Sequence, residues 1–327
     1  MRRRELITLL GGGAASSVFW PLAARAQQVK VWRIGMLETI PTELNAANLA
    51  ALRQGLHELG YVEGQNYVLE YRSANGQADR FPSLAAQLVQ ARVDLIVTRG
   101  TPAAHAAKEA TATIPIVMAA VGEALGVVES LARPGGNVTG LSAFTTELAG
   151  KRMEFARELL PGTARVGFFH NMSNPVAPPQ WEQTRIAARQ LAIESELLDV
   201  RNGDEIGPAI EAAVGKRIDA LLVGNDSVTQ ENRSLIADLA ARKRLPTVYG
   251  SKEFVEAGGL ISYAVSYSQL YFRAARFVDK IFKGAKAGDL PVEQPTKFEL
   301  VINLKAAKAI GLTISESFLT RADEVIE

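Results

Sequence analysis

Short apolar runs alternate with longer amphipathic segments along nearly the whole chain, and they do so in two successive series. In the first series the runs fall at 31–37, 67–72, 93–98, 114–120 and 138–141, separated by helix-like segments near 44–59, 80–91, 102–111 and 124–132. These runs are rich in β-branched residues and almost continuously apolar, the pattern of parallel strands covered on both faces. Strands alternating with helices at this spacing predict a doubly wound α/β layer. A second series follows a helix at 146–159, with strands at 164–169, 196–200, 220–223, 246–249 and 260–263. Its helices are expected near 176–192, 205–215, 228–243 and 251–257. A chain of 327 residues exceeds what one core usually supports, so two lobes suit the length as well as the pattern.

Beyond Tyr263 comes a helix at 268–283, then a stretch punctuated by Pro291 and Pro295, a strand at 298–302 and a short helix at 305–310. A tail left over after two complete arrays predicts that the chain crosses back between lobes. The expected fold class is therefore α/β, with two Rossmann-like lobes of parallel sheets joined by a multi-crossing hinge. Lobe 1 takes residues 30–143 and 266–296, and lobe 2 takes 144–263 and 297–327.

Residues 1–26 read differently. Arg2, Arg3 and Arg4 precede a Gly/Ala-rich apolar stretch, and Ala24-Arg25-Ala26 offers a small-x-small cleavage site. Arg3-Arg4-Glu5-Leu6-Ile7 resembles a bacterial twin-arginine export motif, with Arg2 where Ser or Thr usually stands. The apolar run is short and broken by Gly11-Gly12-Gly13 and Pro21, which argues against a permanent membrane span. Cleavage after about Ala26 would deliver the mature chain to the periplasm. It removes four basic residues and one acidic one, so the net charge of +1 becomes −2.

Composition removes several function classes. With no cysteine there is no disulfide scaffold, no thiolate metal site and no cysteine nucleophile. Three histidines far apart in sequence (His57, His105, His170) do not suggest a metal cluster. A charge near zero gives no signal for nucleic acid. No phosphate loop, no G-x-S-x-G elbow and no H-E-x-x-H motif is present, and no cofactor is expected.

In open α/β sheets, ligands bind beyond the carboxyl ends of strands, where helix N-termini turn free N–H groups outward. After the third strand, Arg99-Gly100-Thr101-Pro102 reads as a tight turn with Thr101 as N-cap and Pro102 at the first helical position, a cradle for a carboxylate. Its bland reading is a well-capped helix. After the sixth strand come His170-Asn171-Met172-Ser173-Asn174-Pro175. After the eighth come Gly224-Asn225-Asp226-Ser227, where Ser227 and Gln230 fit a capping box. Asp226 could pair with a ligand ammonium or be an ordinary turn residue. Tyr249 and Tyr263 end later strands and could stack on a ligand or simply pack.

Several blocks then point to a family: Ser130-Leu131-Ala132-Arg133-Pro134-Gly135-Gly136-Asn137-Val138-Thr139-Gly140-Leu141-Ser142; Leu245-Pro246-Thr247-Val248-Tyr249-Gly250; Glu256-Ala257-Gly258-Gly259-Leu260-Ile261-Ser262-Tyr263; Leu290-Pro291-Val292-Glu293-Gln294-Pro295; and Phe298-Glu299-Leu300-Val301-Ile302-Asn303-Leu304-Lys305. In this order, from about Val31 onward, they resemble ABC transporter substrate-binding proteins of the tryptophan/tyrosine-transport type. The resemblance implies a type I periplasmic binding protein fold with three crossings and a closing cleft. It also implies delivery of ligand to an inner-membrane permease served by a separate ATPase subunit. Two departures concern the cleft: where members often carry Asp-Pro after the fourth strand, the stretch Val121-Gly122-Glu123-Ala124-Leu125-Gly126 keeps an acid in Glu123 but loses the proline, and Ala264 stands where they tend to have glycine. The expected ligand is a small carboxylate-bearing molecule, an aromatic or branched amino acid or an aromatic acid. The expected site joins Thr101, Pro102, Gly122, Glu123, Ser142, Asn171, Asp226, Tyr249 and Tyr263, in a monomer. Two rivals stand beside this reading: a two-lobe enzyme using His170 or Asp226 as acid–base, and a ligand-sensing receptor module.

Overall fold

A computed structural model describes residues 30–327, so the expected export signal at 1–26 lies outside the described residues. The described strands are β1 (Trp32–Glu38), β2 (Tyr67–Ser73), β3 (Leu95–Arg99), β4 (Ile116–Val121), β5 (Val138–Ser142), β6 (Arg165–His170), β7 (Glu194–Asp199), β8 (Ala220–Val223), β9 (Thr247–Tyr249), β10 (Ile261–Ala264), β11 (Glu299–Asn303) and β12 (Glu324–Ile326). The helices are α1 (Ala46–Glu58), α2 (Phe81–Gln90), α3 (Thr101–Ala110), α4 (Leu148–Leu159), α5 (Ala177–Gln190), α6 (Ile206–Gly215), α7 (Ser227–Glu231), α8 (Arg233–Arg242), α9 (Lys252–Glu256), α10 (Tyr267–Phe282), α11 (Leu304–Ala309) and α12 (Glu316–Leu319).

Two sheets form. The first is parallel throughout, in the order β2-β1-β3-β4-β5, and the second runs β12-β11-β10-β9-β8-β6-β7. Central strands β3, β4 and β5 are buried along their whole length, as continuous apolar runs require when helices cover both faces. Each sheet has an apolar layer on either face. Leu49, Leu52, Tyr271 and Phe277 belong to one side of the first sheet, and Phe81, Leu84 and Leu88 to the other.

The helix that follows β5 does not pack on the first sheet. α4 lies against α5, β8, β9 and β10, whereas α10, which follows β10, lies against α1, β4 and β5. The chain thus passes between sheets after β5, again after β10, and a third time before β11. After α10 it runs beside β5, where the Ser142 N–H donates to the Glu293 carbonyl, before it returns to the second sheet.

Three expectations need correction. The helix expected at 124–132 does not form, because Gly126 takes φ +96° and the N–H groups of Val127 and Val128 fold back onto the Ala124 carbonyl as turns. The helix expected at 228–243 breaks into α7 and α8 at Asn232, whose side-chain amide donates to the Val228 carbonyl. The second sheet is not wholly parallel: β11 runs antiparallel to β10, and β12 extends the sheet beyond it.

Candidate functional site

Both sheets reverse their winding at a particular place. In the first, β1 and β3 are neighbours whose connections leave in opposite directions, and in the second β6 and β8 stand in the same relation. At such switch points the strand ends splay apart and leave a crevice. The two crevices face each other across the lobes and line one pocket.

From the first sheet come Thr39 after β1 and Arg99, Gly100, Thr101 and Pro102 after β3, with Gly122 after β4. From the second come Asn174 and Val176 after β6, and Asn225, Asp226 and Ser227 after β8. Ala120 in β4, Thr145 in the first crossing and Tyr267 at the start of α10 complete the lining. The lobes meet closely here, and the space between them is about 30 Å³.

Gly100, at φ +87°, is the N-cap of α3, so Thr101 opens the helix as its first residue rather than capping it. The Thr101 hydroxyl instead accepts the N–H of Glu123 at 3.3 Å, which ties the α3 start to the loop after β4. Opposite it, Asp226 caps α7: its Oδ1 accepts the Thr229 N–H at 2.9 Å, and the Thr229 hydroxyl accepts the Asp226 N–H at 3.0 Å. This reciprocal box replaces the one expected from Ser227 and Gln230. The Gln230 amide donates to Ser251 Oγ instead.

One Asp226 oxygen is thereby used, while the other, Oδ2, is buried without a hydrogen-bond partner. Burial pushes this carboxyl up to about 6, and the cap bonds from Thr229 oppose the shift. The Thr39 hydroxyl, in the same pocket, is also buried and unpartnered. His170 Nδ1 lies 3.9 Å from Asp226 Oδ2, yet the imidazole is fully buried and does not line the pocket. Burial lowers it to about 4, so it is neutral at physiological pH.

The pocket brings together four of the nine expected site residues: Thr101, Pro102, Gly122 and Asp226. Glu123 contributes its backbone N–H to Thr101, while its side chain accepts the Leu125 N–H. The Ser142 hydroxyl accepts the Phe144 N–H within the first crossing. Asn171 holds the 171–173 turn through Ser173 and borders a separate, open concavity of about 570 Å³ at the edge of the cleft. Tyr249 is fully buried and stacked on Phe254 at 4.8 Å, and Tyr263 packs edge-on against Phe155 at 4.9 Å. Their strands, β9 and β10, stand progressively farther from the switch point, so their ends do not reach the pocket.

From Arg99, which lines the pocket, a buried charged cluster extends to Glu38 and Glu253, which the strand-end reading missed. Arg99 is 2% exposed; its Nη1 donates to Asn45 Oδ1 at 3.1 Å and its guanidinium sits 4.8 Å from the centre of the Tyr267 ring. Its Nη2 meets Glu253 Oε1, from the second lobe, at 3.1 Å. Glu38, at the end of β1, accepts the Tyr271 hydroxyl at 2.5 Å and is pushed up to about 7 by burial, with Arg99 pulling the other way. The available signal was a charge closing the apolar runs of β1 and β3, Glu38 and Arg99. Among the described residues, no cluster of His, Asp or Glu could hold a metal, and no helix is long and apolar enough to cross a membrane.

The sequence profile of ABC transporter substrate binding proteins matches residues 34–326. The tyrosine-binding protein of Clostridioides difficile (strain R20291) is 29% identical over 261 residues, 79% of this chain and 75% of the relative. The ABC domain from Streptococcus pneumonia in complex with L-Trp matches with a TM-score of 0.82 and 27% identity, covering 91% of this chain and 100% of that one. A conserved domain protein from Vibrio cholerae gives a TM-score of 0.84 at 28% identity, over 90% of this chain and 100% of the other.

Proposed function

Because the chain belongs to the ABC transporter substrate binding protein family, we propose that it is the solute receptor of an importer. It takes a small carboxylate-bearing ligand between its lobes, an aromatic or branched amino acid or an aromatic acid, and presents it to an inner-membrane permease driven by a separate ATPase subunit. The observation that carries this reading is a pair of buried, unpartnered polar atoms, Asp226 Oδ2 and Thr39 Oγ1, on one pocket from opposite lobes. A buried carboxylate oxygen without a donor is costly unless a ligand supplies one, and an ammonium supplies it by a charge-assisted bond. The first turn of α3, with Thr101, suits the ligand carboxylate. Amino-acid ligands are named for two relatives, tyrosine and L-Trp. The mature receptor works as a monomer in the periplasm after cleavage near Ala26, by a twin-arginine-like route.

Closure by hinge bending at the three crossings traps the ligand, and nothing in the cycle requires a covalent step. A thermal-shift screen of amino acids and aromatic acids identifies the ligand, since binding to the native state raises the melting temperature. Asp226→Asn keeps a helix cap but removes the charge. For an ammonium-bearing ligand it should weaken binding by about 2–5 kcal/mol. Unchanged affinity would remove Asp226 from the site. Mass analysis of the recovered ligand checks the transport reading: conversion to a product would replace it with a two-lobe enzyme.

A further inference from the structure

We propose that Glu253, which lies outside the ligand pocket, is the residue that holds the lobes shut, through a buried ion pair with Arg99. The proposal rests on the hinged-cleft reading above but not on any particular ligand. Glu253 lies in the first turn of α9 in the second lobe, and Arg99 closes β3 in the first. Their side chains are 14% and 3% exposed, so water screens the pair poorly. The same Glu253 oxygen also accepts the Asn48 amide at 3.2 Å, giving two donors from the opposite lobe. A second strap lies nearby, where Arg233 Nη2 donates to the Leu44 carbonyl at 3.1 Å.

Arg99 is already fixed from within its own lobe by Asn45, the Tyr267 ring and the charge of Glu38. Pairing with Glu253 therefore orders few additional side chains on closure. When the lobes part, Glu253 regains water while Arg99 keeps its lobe-1 partners. The pair thus acts on the open–closed equilibrium more than on the folding of either lobe. Arg99 holds the Glu253 carboxyl below the ordinary carboxylate range despite its burial, with Ser251 and Asn48 adding to the effect. Glu256, on the same helix, pairs with Lys252 at 3.4 Å on the exposed side and makes no bond to Arg99, so it serves as a control for losing a carboxylate from α9.

The chain contains no cysteine, so two introduced cysteines give unique labels, one per lobe. Ala50 on α1 and Ala212 on α6 are both exposed. With spin labels at Ala50→Cys and Ala212→Cys, distance distributions are recorded on the ligand-free full chain at low salt. The expected result is a closed-to-open ratio that falls about tenfold in Glu253→Ala relative to wild type. Glu253→Asp should recover part of it, and Glu256→Ala should leave it unchanged. Glu253→Gln, nearly isosteric, repeats the test should the alanine variant fail to fold. Identical distributions in wild type and the Glu253 variants, whether open or closed, would overturn the proposal. The measurement uses no ligand, so its failure is separate from failure of the ligand assignment.

Discussion

At the residue scale, two buried ionisable groups set opposite responses to pH. Glu38 titrates near 7 in the folded chain against an ordinary 4.5, so the native state holds its proton more tightly than the unfolded chain. Its contribution to stability is present below about pH 4.5 and is lost as pH rises through 7. His170 runs the other way: its folded value near 4 against 6.5 means stability present above 6.5 and lost as pH falls toward 4. Glu38→Gln, which can still accept the Tyr271 hydroxyl, should match wild type near pH 4 and exceed it by about 2–3 kcal/mol above pH 7. Denaturant melts at both pH values test this, and a less stable variant at pH 8 would mean that the carboxylate's attraction to Arg99 outweighs its burial. Of the pocket residues, Asp226, Thr101, Pro102 and Gly122 were legible because each follows a strand. Thr39 also follows one, but a lone threonine carries no motif, and Tyr267 belongs to a helix that enters the site from the far half of the sequence. Tyr249 and Tyr263 sit in the last residues of strands too, yet order within the sheet, not order in the chain, decides which ends meet the cleft.

At the element scale, Gly122 marks where the loop after β4 meets the second lobe. A Cβ there would stand 2.7 Å from Thr145 Oγ1 and 3.0 Å from Val176 Cγ2, closer than real side chains approach. Val176 immediately precedes α5 in the second lobe, so a side chain at 122 is a wedge between lobes rather than a defect within one. Gly122→Val should leave the melting temperature of the ligand-free protein within a few degrees of wild type while weakening ligand binding at least tenfold. Calorimetric titration beside thermal melts reads both; full affinity would show that the lobes do not close on this contact. Arg152, on α4, stitches the hinge: its Nε donates to the Tyr263 carbonyl at 2.9 Å and Nη1 reaches the Thr145 carbonyl at 3.5 Å, so one guanidinium joins the first crossing to the end of β10, where the second begins. Burial lowers it to about 10. Arg152→Lys cannot span both carbonyls and should cost about 1–3 kcal/mol in denaturant unfolding, whereas an unchanged midpoint would count against the stitch. Eleven of the twelve strands had a counterpart in the apolar runs. β12 had none, because Glu324-Val325-Ile326 is short and largely exposed, and it pairs only through the edge that β11 offers.

At the scale of the whole molecule, the crossings make each lobe depend on sequence from both halves of the chain. α10 follows the last parallel strand of the second sheet, yet it buries Tyr271, Phe277 and Val278 against the first. No contiguous piece of sequence contains lobe 1 alone, so its core closes only after residues up to Val292 have been ordered. The tail that remained after two full arrays was the sequence sign of this exchange, although the antiparallel sense of β11 was not, since a single apolar run carries no direction. Such interleaving should couple the lobes in folding. Two tryptophans report the halves separately: Trp32 stacks on Phe282 at 4.0 Å in the first lobe, and Trp181 stacks on Phe168 at 5.5 Å in the second. In a Trp20→Phe background, single-tryptophan variants made by Trp32→Phe or Trp181→Phe should each show one urea transition. Once each variant is referenced to its own circular-dichroism midpoint, fluorescence and far-ultraviolet signals should coincide. A Trp181 signal that is lost before the secondary structure, while Trp32 persists, would show that the second lobe unfolds independently and that the shared segments do not couple the two.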